Sequence, residues 1–148
     1  MSPEDRLCVL LAQAQLSPQA RKEAAELLAA PLRWDALLLR AGEQQVFPLL
    51  CRHVRALRFE GVPEPACVEL KQAFEKNRLR NGLLVQQLAR VLRVLSAAGV
   101  RAIPVKGLAL ADSLYGDFAM RVVCDLDILV PPDEALRARR ALLEHFHK

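Results

Sequence analysis

The chain has 148 residues, of which 53% are hydrophobic and 26% are charged. This balance is typical of one or two small globular domains, and it excludes an intrinsically disordered chain. Lys and Arg exceed Asp and Glu by 21 to 17, a mild excess that permits a polyanionic partner such as RNA without requiring one.

The first sixty residues predict four short helices. Apolar side chains recur at helical spacing over residues 4–15, which indicates the first helix. Ser17 and Pro18 favour the start of a second, because a serine hydroxyl caps well and proline suits the first helical position. Gly42 is expected to end the third helix as its C-cap, and residues 61–63 (Gly-Val-Pro) to end the fourth.

His53 lies on the apolar face of the fourth predicted helix, with Cys51 close by in the sequence. The two side chains could form part of a metal site. A lone histidine on such a face is more often a hydrogen-bonded residue of the core or its boundary. We therefore interpret His53 as structural.

Residues 65–98 carry the longest helical pattern, with apolar residues at alternating steps of three and four. Gly99 is expected to close this helix. Asn77 and Asn81 interrupt the apolar seam, and buried amides need hydrogen-bonding partners. We expect this portion to face solvent or a groove; the alternative is that Asn81 lines a functional site.

The last third of the chain predicts two strands, each followed by a helix. The strands are expected over residues 101–106 and 124–130, and the helix between them over residues 107–115. A last helix begins after Pro131, with acidic residues in its first turn. Its expected inward-facing residues are Leu136, Leu143 and Phe146.

Two aspartates, Asp125 and Asp127, open the second predicted strand. Strand side chains alternate between faces, so these carboxylates are expected on one face of the sheet. Two like charges held close together favour a divalent cation between them. The pair therefore predicts a site for Mg²⁺ or Mn²⁺, although many such pairs are solvated turn or capping residues.

Lys106 and Gly107 stand where the first predicted strand turns into a helix. A glycine there lets a ligand approach the backbone, and the amides and dipole of the helix favour phosphate. Lys106 could add a positive charge for the same phosphates, and Arg121 could hold a phosphate or brace an aspartate. The alternatives are a plain tight turn with a surface lysine and an ordinary salt bridge at Arg121.

The four cysteines, Cys8, Cys51, Cys67 and Cys124, lack zinc-like spacing and are interpreted as small buried apolar residues. The N-terminus lacks a signal-peptide pattern, and no apolar run approaches the length of a membrane span. These features predict a cytoplasmic protein without a membrane partner.

The stretch VKGLALADSLYGDFAMRVVCDLDILVP, residues 105–131, resembles the uncharacterised bacterial nucleotidyltransferase family (NTP_transf_5 type) of the polymerase-β-like superfamily. The shared features are a Lys-Gly turn, a tyrosine, an arginine and a D-[IL]-D-[IL]-L-V strand, in this order. Upstream, Trp34, Ala41, the segment Val-Phe-Pro-Leu-Leu at 46–50 and Asn81 are similar too.

The resemblance implies an α+β fold, with a mostly helical N-terminal region over residues 1–62 and a nucleotidyltransferase-like α-β-α-β-α core over residues 63–148. It further implies transfer of a nucleoside monophosphate from an NTP to an unknown acceptor. Asp125 and Asp127 would bind the catalytic metals, and Lys106, Gly107 and Arg121 would bind the nucleotide.

The chain departs from the superfamily pattern in three places. Leu108 stands where a serine or a second glycine is usual, and Cys124 stands where a small residue usually precedes the first aspartate. The superfamily's third carboxylate lies on a following strand, whereas this sequence ends at Lys148 within the last predicted helix. Either the sequence is a fragment of a longer protein or the site is incomplete, and we expect a fragment, with the core truncated before its third strand.

Two other functional hypotheses follow from these features. One is a non-catalytic helical interaction module that keeps the nucleotidyltransferase fold, and the other is an RNA-binding protein that uses basic helix faces.

Overall fold

The computed structural model describes residues 1–146 and consists of seven α-helices, two short β-strands and two 3₁₀ turns within that range. The helices are α1 (Pro3–Leu11), α2 (Pro18–Ala29), α3 (Trp34–Glu43), α4 (Phe47–Ala56), α5 (Glu64–Ala97), α6 (Gly107–Tyr115) and α7 (Ala135–Phe146). The strands are β1 (Ile103–Val105) and β2 (Asp127–Leu129), and the 3₁₀ turns are Phe118–Met120 and Pro132–Glu134. The predicted α+β fold, rich in helix and poor in strand, is confirmed.

The chain forms two compact units, and each is described by itself. Unit 1 comprises residues 1–79 and 119–122, and unit 2 comprises residues 80–118 and 123–148, of which the last two lie outside the described residues. The division into domains 1–62 and 63–148 follows from the family resemblance and stays a prediction.

Unit 1 is a helical bundle in which α1 contacts α2, α3 and α4. Its fully buried side chains are mostly aliphatic and come from several helices; they include Leu7, Leu11, Leu37, Leu50, Val54 and Leu70. The predicted start of α2 is confirmed, because the Ser17 hydroxyl accepts a hydrogen bond from the Ala20 amide at 3.1 Å and Pro18 is the first helical residue.

The helix ends in unit 1 differ from the prediction. Helix α1 stops at Leu11 rather than continuing to residue 15. Gly42 lies inside α3, and Gln45 instead adopts the left-handed conformation beyond the helix end, with φ of 56°. The Val46 amide then donates to the Ala41 carbonyl at 2.9 Å, which is the bond that defines a Schellman motif.

Helix α4 also ends earlier than residues 61–63. It stops at Ala56, and Arg58 takes φ of 57° immediately afterwards. The Phe59 amide donates to the Val54 carbonyl at 2.8 Å, so a Schellman motif ends this helix too.

His53 is a buried structural residue, as expected. Its Nε2 lies 2.8 Å from the Gln13 carbonyl oxygen, so Nε2 carries the proton and donates to this acceptor. Two of the four cysteines, Cys8 and Cys51, are buried as expected, whereas Cys67 is half-buried and Cys124 is exposed.

Burial lowers the pKa of His53 below its usual value. The hydrogen bond to Gln13 raises the pKa by less than burial lowers it, and the positive charges of Arg52 and Arg21 lower it slightly further. The unfolded chain therefore binds a proton at a higher pH than the folded chain. We expect the free energy of unfolding to be independent of this group above pH of about 6.5 and to decrease as the pH falls below it.

This prediction is checked by urea unfolding at pH values between 7.5 and 5. Replacing His53 with glutamine, which keeps an N–H donor but does not titrate, is expected to flatten the decrease. His145→Gln is the control, because His145 is exposed. An equal decrease in the His53→Gln variant would contradict the assignment.

Unit 2 contains the two-stranded antiparallel sheet, in which Ile103 pairs with Leu129, Pro104 with Ile128 and Val105 with Asp127. One side of the sheet packs on a small core formed by residues of α5 and α7: Leu95 and Ala138, together with Val100 before β1. Ile128 and Val130 contact this core from the sheet. The predicted end of α5 is confirmed, because Gly99 follows it with φ of 67° and the Val100 amide donates to the Leu95 carbonyl.

The predicted inward face of α7 is wrong at Leu136 and Leu143, which are 80% and 38% exposed, whereas Phe146 is half-buried. Ala138 is buried. The helix approaches the core through this small residue, and Leu142 packs beside it. Glu134, which we expected to complement the helix dipole from the first turn, is buried and accepts hydrogen bonds from the Arg101 amide and guanidinium at 2.7 and 2.9 Å.

Candidate functional site

Four of the five predicted site residues lie close together in unit 2, at the junction of β1, α6 and β2. Helix α6 begins at Gly107, as predicted, directly after Lys106. Strand β2 is shorter than predicted and begins at Asp127 rather than at residue 124. Asp125 therefore lies in a bend before the strand, and the alternation of strand side chains does not place it on the face of Asp127.

The contacts of Gly107 bring the turn and the aspartates together. A Cβ atom at Gly107 would lie 3.0 Å from Cγ1 of Val123 and 3.6 Å from the carbonyl oxygen of Asp125. The absence of a side chain thus lets the segment before β2 pass close to the first turn of α6. Sequence reasoning did not identify Val123, which is buried and supports this approach.

Lys106 connects the turn to the second aspartate. Its Nζ lies 3.7 Å from Oδ2 of Asp127, and Val105, the preceding residue, pairs with Asp127 across the sheet. The side chains of Lys106 and Asp127 are 72% and 38% exposed, so solvent screens this ion pair and it contributes little to stability. Both charged groups therefore remain accessible to a ligand.

The backbone of Lys106 is strained. Its φ of 55° and ψ of −142° belong to a region that non-glycine residues rarely adopt. Such conformations cost about 1–3 kcal/mol and concentrate at functional sites. The carbonyl of Lys106 accepts a hydrogen bond from the Leu110 amide at 2.8 Å, the first bond of α6.

The N-terminus of α6 is open to an anion. Within the described residues, no side chain caps this helix. Its nine residues align their peptide dipoles, and the amide N–H groups of the first turn carry partial positive charge. Leu108, which replaces the usual serine or glycine, is buried and contributes packing instead of a hydroxyl.

The site is a surface, not a closed cavity. Between the turn and the aspartates there is a pocket of only about 10 Å³, lined by residues that include Leu108, Asp125 and Asp127. Asp125 is exposed.

Within residues 1–146, no cluster of three or more His, Cys, Asp or Glu side chains could hold a metal ion. Any metal site in this range would therefore use at most two of these side chains. Mg²⁺ is commonly held by one or two carboxylates, with water and substrate phosphates as its other ligands. Asp125 and Asp127 supply hard oxygen ligands of this kind, so they fit a divalent cation shared with a nucleotide.

Arg121, the fifth predicted site residue, lies in unit 1, in the segment that follows the 3₁₀ turn Phe118–Met120. The side-chain amide of Asn77 donates to the carbonyl oxygens of Ala119 and Arg121 at 2.9 and 3.2 Å. The backbone of Arg121 is thus anchored to α5.

The expectation that both asparagines of α5 face solvent or a groove is wrong. Asn77 and Asn81 are 5% and 0% exposed. In unit 2, the amide of Asn81 donates to the carbonyl oxygen of Phe118 at 2.7 Å. Each asparagine therefore donates a hydrogen bond to the backbone of the segment that precedes the aspartates. The sequence indicated this role only by placing two amides in the apolar seam of the helix.

The sequence profile of a family described as uncharacterised nucleotidyltransferases matches residues 30–145 of the 148. The chain belongs to this nucleotidyltransferase family. The predicted family assignment is thus confirmed. No curated protein and no solved structure matches the chain.

The Lys-Gly turn and the Asp-x-Asp segment both lie within the matched region. No helix within residues 1–146 is long and apolar enough to cross a membrane.

Proposed function

We propose that this protein transfers a nucleoside monophosphate from an NTP to an acceptor, using Mg²⁺ or Mn²⁺ bound by Asp125 and Asp127. The observation that carries the proposal is the approach of Gly107 to the Asp125 segment, together with the contact between Lys106 and Asp127. In a member of a nucleotidyltransferase family, this arrangement joins a phosphate-binding helix start to a pair of carboxylates.

In this proposal, the first turn of α6 binds the β- and γ-phosphates through its backbone amides. Gly107 leaves the backbone open to the phosphate oxygens, and the helix dipole favours their negative charge. The Lys106 ammonium moves from Asp127 to the phosphates when the nucleotide binds. Its exposed, flexible side chain allows this movement without a change in the backbone.

Asp125 and Asp127 are the residues that would hold the divalent cation. When bound, the cation neutralises charge that develops on the phosphate oxygens and orients the attacking and leaving groups. The two carboxylates supply oxygen ligands of the kind that Mg²⁺ and Mn²⁺ prefer.

Arg121 is proposed as a nucleotide-binding residue because of the order of the family motif. Asn77 holds the carbonyl of Arg121 and thereby limits the movement of its backbone. Its charged guanidinium is suited to bidentate contact with phosphate oxygens.

A second candidate function is a non-catalytic interaction module that retains the fold. One observation favours it: Leu108 is buried in place of a phosphate-binding hydroxyl. Such a module would not need to bind a divalent cation at Asp125 and Asp127.

Binding of Mn²⁺, measured by electron paramagnetic resonance with and without ATP, CTP, GTP or UTP, distinguishes these functions. For the wild type we expect saturable Mn²⁺ binding that tightens when the preferred NTP is added, because the phosphates complete the ligand set. The double variant Asp125→Asn/Asp127→Asn is expected to lose this binding.

The matched control is Asp133→Asn, which removes an exposed carboxylate from the turn before α7. It is expected to bind Mn²⁺ like the wild type. If the double variant and the wild type bind Mn²⁺ equally, the metal site is assigned to the wrong residues and the non-catalytic module is favoured.

A further inference from the structure

The outer face of the two-stranded sheet carries both Asp127 and an exposed apolar pair. Val105 and Asp127 are cross-strand partners, and so are Ile103 and Leu129. Cross-strand partners share a face, as do residues two apart along a strand. Ile128 points to the opposite face, where it packs on the core of unit 2. Asp127, Ile103 and Leu129 therefore lie on one face.

The apolar part of this face is open to solvent. Ile103 is 62% exposed and Leu129 is 61% exposed. They border a pocket of about 400 Å³, a volume typical of small-molecule sites. The pocket is lined by Arg101, Ile103, Leu129, Val130, Pro131 and Pro132.

One wall of the pocket is held in place by an ion pair. Glu134 is buried, and its two carboxylate oxygens accept hydrogen bonds from the backbone amide and the Nε of Arg101. The residues before β1 and after β2 are thereby joined. The pocket thus has a defined shape without a ligand.

The features of this face follow a fixed order along the strands. The Ile103–Leu129 pair comes first, Asp127 lies two residues further along, at about 7 Å, and the Lys106-Gly107 turn comes last. The order is therefore apolar pair, carboxylate, phosphate-binding turn.

In nucleotidyl transfer the attacking and leaving oxygens lie on opposite sides of the α-phosphorus. If the β- and γ-phosphates occupy the Lys106-Gly107 turn and the α-phosphate lies at Asp127, pyrophosphate leaves toward the turn. The attacking oxygen must then approach from the other side, where Ile103 and Leu129 are exposed.

We propose that Ile103, Leu129 and the adjoining pocket bind the acceptor, and that the acceptor is a hydroxyl compound with an apolar or aromatic group beside its nucleophilic oxygen. This inference rests on the proposed function. The acceptor oxygen forms a bond to the α-phosphorus while the bond from phosphorus to the bridging oxygen breaks. Pyrophosphate leaves with the electron pair, and the hydroxyl proton passes to solvent water.

A strand from another chain is a poorer occupant of this surface. Pro104 occupies the middle of β1 and has no N–H, so this edge cannot form a continuous ladder. The juxtaposition of a carboxylate with two exposed aliphatic side chains instead suits a small molecule that is polar at one end and apolar at the other.

The test uses N-acetyltyrosinamide as an aromatic hydroxyl probe and glycerol as a polar one. Each is titrated into protein labelled at the methyl groups of isoleucine and leucine, and methyl NMR spectra are recorded. We expect saturable shifts at Ile103 and Leu129 with the tyrosine derivative and none with glycerol. Leu129→Asn is expected to weaken the apparent affinity by at least about fivefold, because apolar contact area is lost.

Leu136→Asn is the matched control, since Leu136 is also an exposed leucine but does not line the pocket. It is expected to leave the affinity unchanged. No shift at Ile103 and Leu129, an equal response to glycerol, or equal weakening by Leu136→Asn would overturn the proposal. Shifts that depend on protein concentration without a probe would assign the face to a second copy of the chain and overturn it too.

Mn²⁺ binding, measured on the same Leu129→Asn sample, separates this inference from the proposed function. We expect it to match the wild type, because the variant leaves both aspartates intact. If Mn²⁺ binds but the methyl groups do not respond, only the acceptor site is wrong. If the methyl groups respond but Mn²⁺ does not bind to wild type, the surface binds apolar compounds without the acceptor role and the proposal fails.

Discussion

Replacing Gly61 with alanine is expected to destabilise the protein by about 3 kcal/mol, from the combined cost of a left-handed non-glycine residue and an overpacked contact. Gly61 has φ of 75°, a conformation that alanine adopts only with strain. An added Cβ would also overlap the carbonyl oxygen of Leu28 and lie 2.8 Å from its carbonyl carbon. Because these are backbone atoms near the end of α2, no side-chain rotation can relieve the overlap.

Two other glycines separate the contributions to this cost. Gly116 has φ of 64° but no atom within 4 Å of an added Cβ, so Gly116→Ala measures backbone strain alone, about 1 kcal/mol. Gly42 lies within α3 with the same open space, and Gly42→Ala is expected to stabilise by about 0.5–1 kcal/mol.

The measurement is the free energy of unfolding from urea titrations monitored by circular dichroism. The expected order of stability is Gly42→Ala above wild type, then Gly116→Ala, then Gly61→Ala. If Gly61→Ala and Gly116→Ala lose the same amount, the close approach of residue 61 to α2 does not contribute and the packing of this turn is wrong.

The sequence predicted helix starts and ends correctly where the cap residue lies within one helical turn of the groups that it binds. Ser17 and Pro18 determine the start of α2 through a bond that spans three residues. Gly99 ends α5, and the Lys106-Gly107 turn starts α6, as predicted. In each case the cap residue and the residue it serves are neighbours in the chain.

Helix ends that depend on packing were not predictable in the same way. At the ends of α3 and α4 the left-handed position is taken by Gln45 and Arg58, although Gly42 and Gly61 stand nearby. A non-glycine residue in this conformation is strained, so surrounding contacts must determine where the helix stops.

The asparagines of α5 show how far such contacts reach. The carbonyl groups that Asn77 and Asn81 bind lie 37 to 44 residues later in the chain. A helical pattern with amides in its apolar seam indicates either a solvated face or buried amides with distant partners. Only the three-dimensional structure identifies the partners.

At the candidate site, the sequence correctly predicted that the Lys-Gly turn lies near the aspartates, but it did not predict the conformation of the aspartate segment. The Lys-Gly turn and the aspartates do meet, because β1 and β2 pair and Val105 lies opposite Asp127. The prediction that both aspartates lie on a strand failed at Asp125, since β2 begins two residues later. The bend at Asp125 is shaped by the close passage of this segment past Gly107, which no periodicity reveals.

Replacing Asp127 with asparagine is expected to lower the rate of nucleotidyl transfer by at least about a hundredfold. Asp127 starts β2, and its backbone is held by the pairing with Val105, so the substitution should leave the fold intact. The amide keeps the size of the side chain but removes the negative charge that would hold a divalent cation beside the α-phosphate. Loss of such electrostatic stabilisation typically amounts to several kcal/mol, and each 1.4 kcal/mol is about tenfold in rate.

The readout is Mg²⁺-dependent release of pyrophosphate from each of the four NTPs in the presence of N-acetyltyrosinamide. Asp133→Asn, the exposed control carboxylate, is expected to retain the wild-type rate. Lys106→Ala is expected to raise the KM for the NTP more than it lowers kcat, because the ammonium contributes to binding of phosphates that are present before and during the reaction. Equal rates for Asp127→Asn and Asp133→Asn would show that the paired carboxylates do not support catalysis in this chain, and the non-catalytic interaction module would then be favoured.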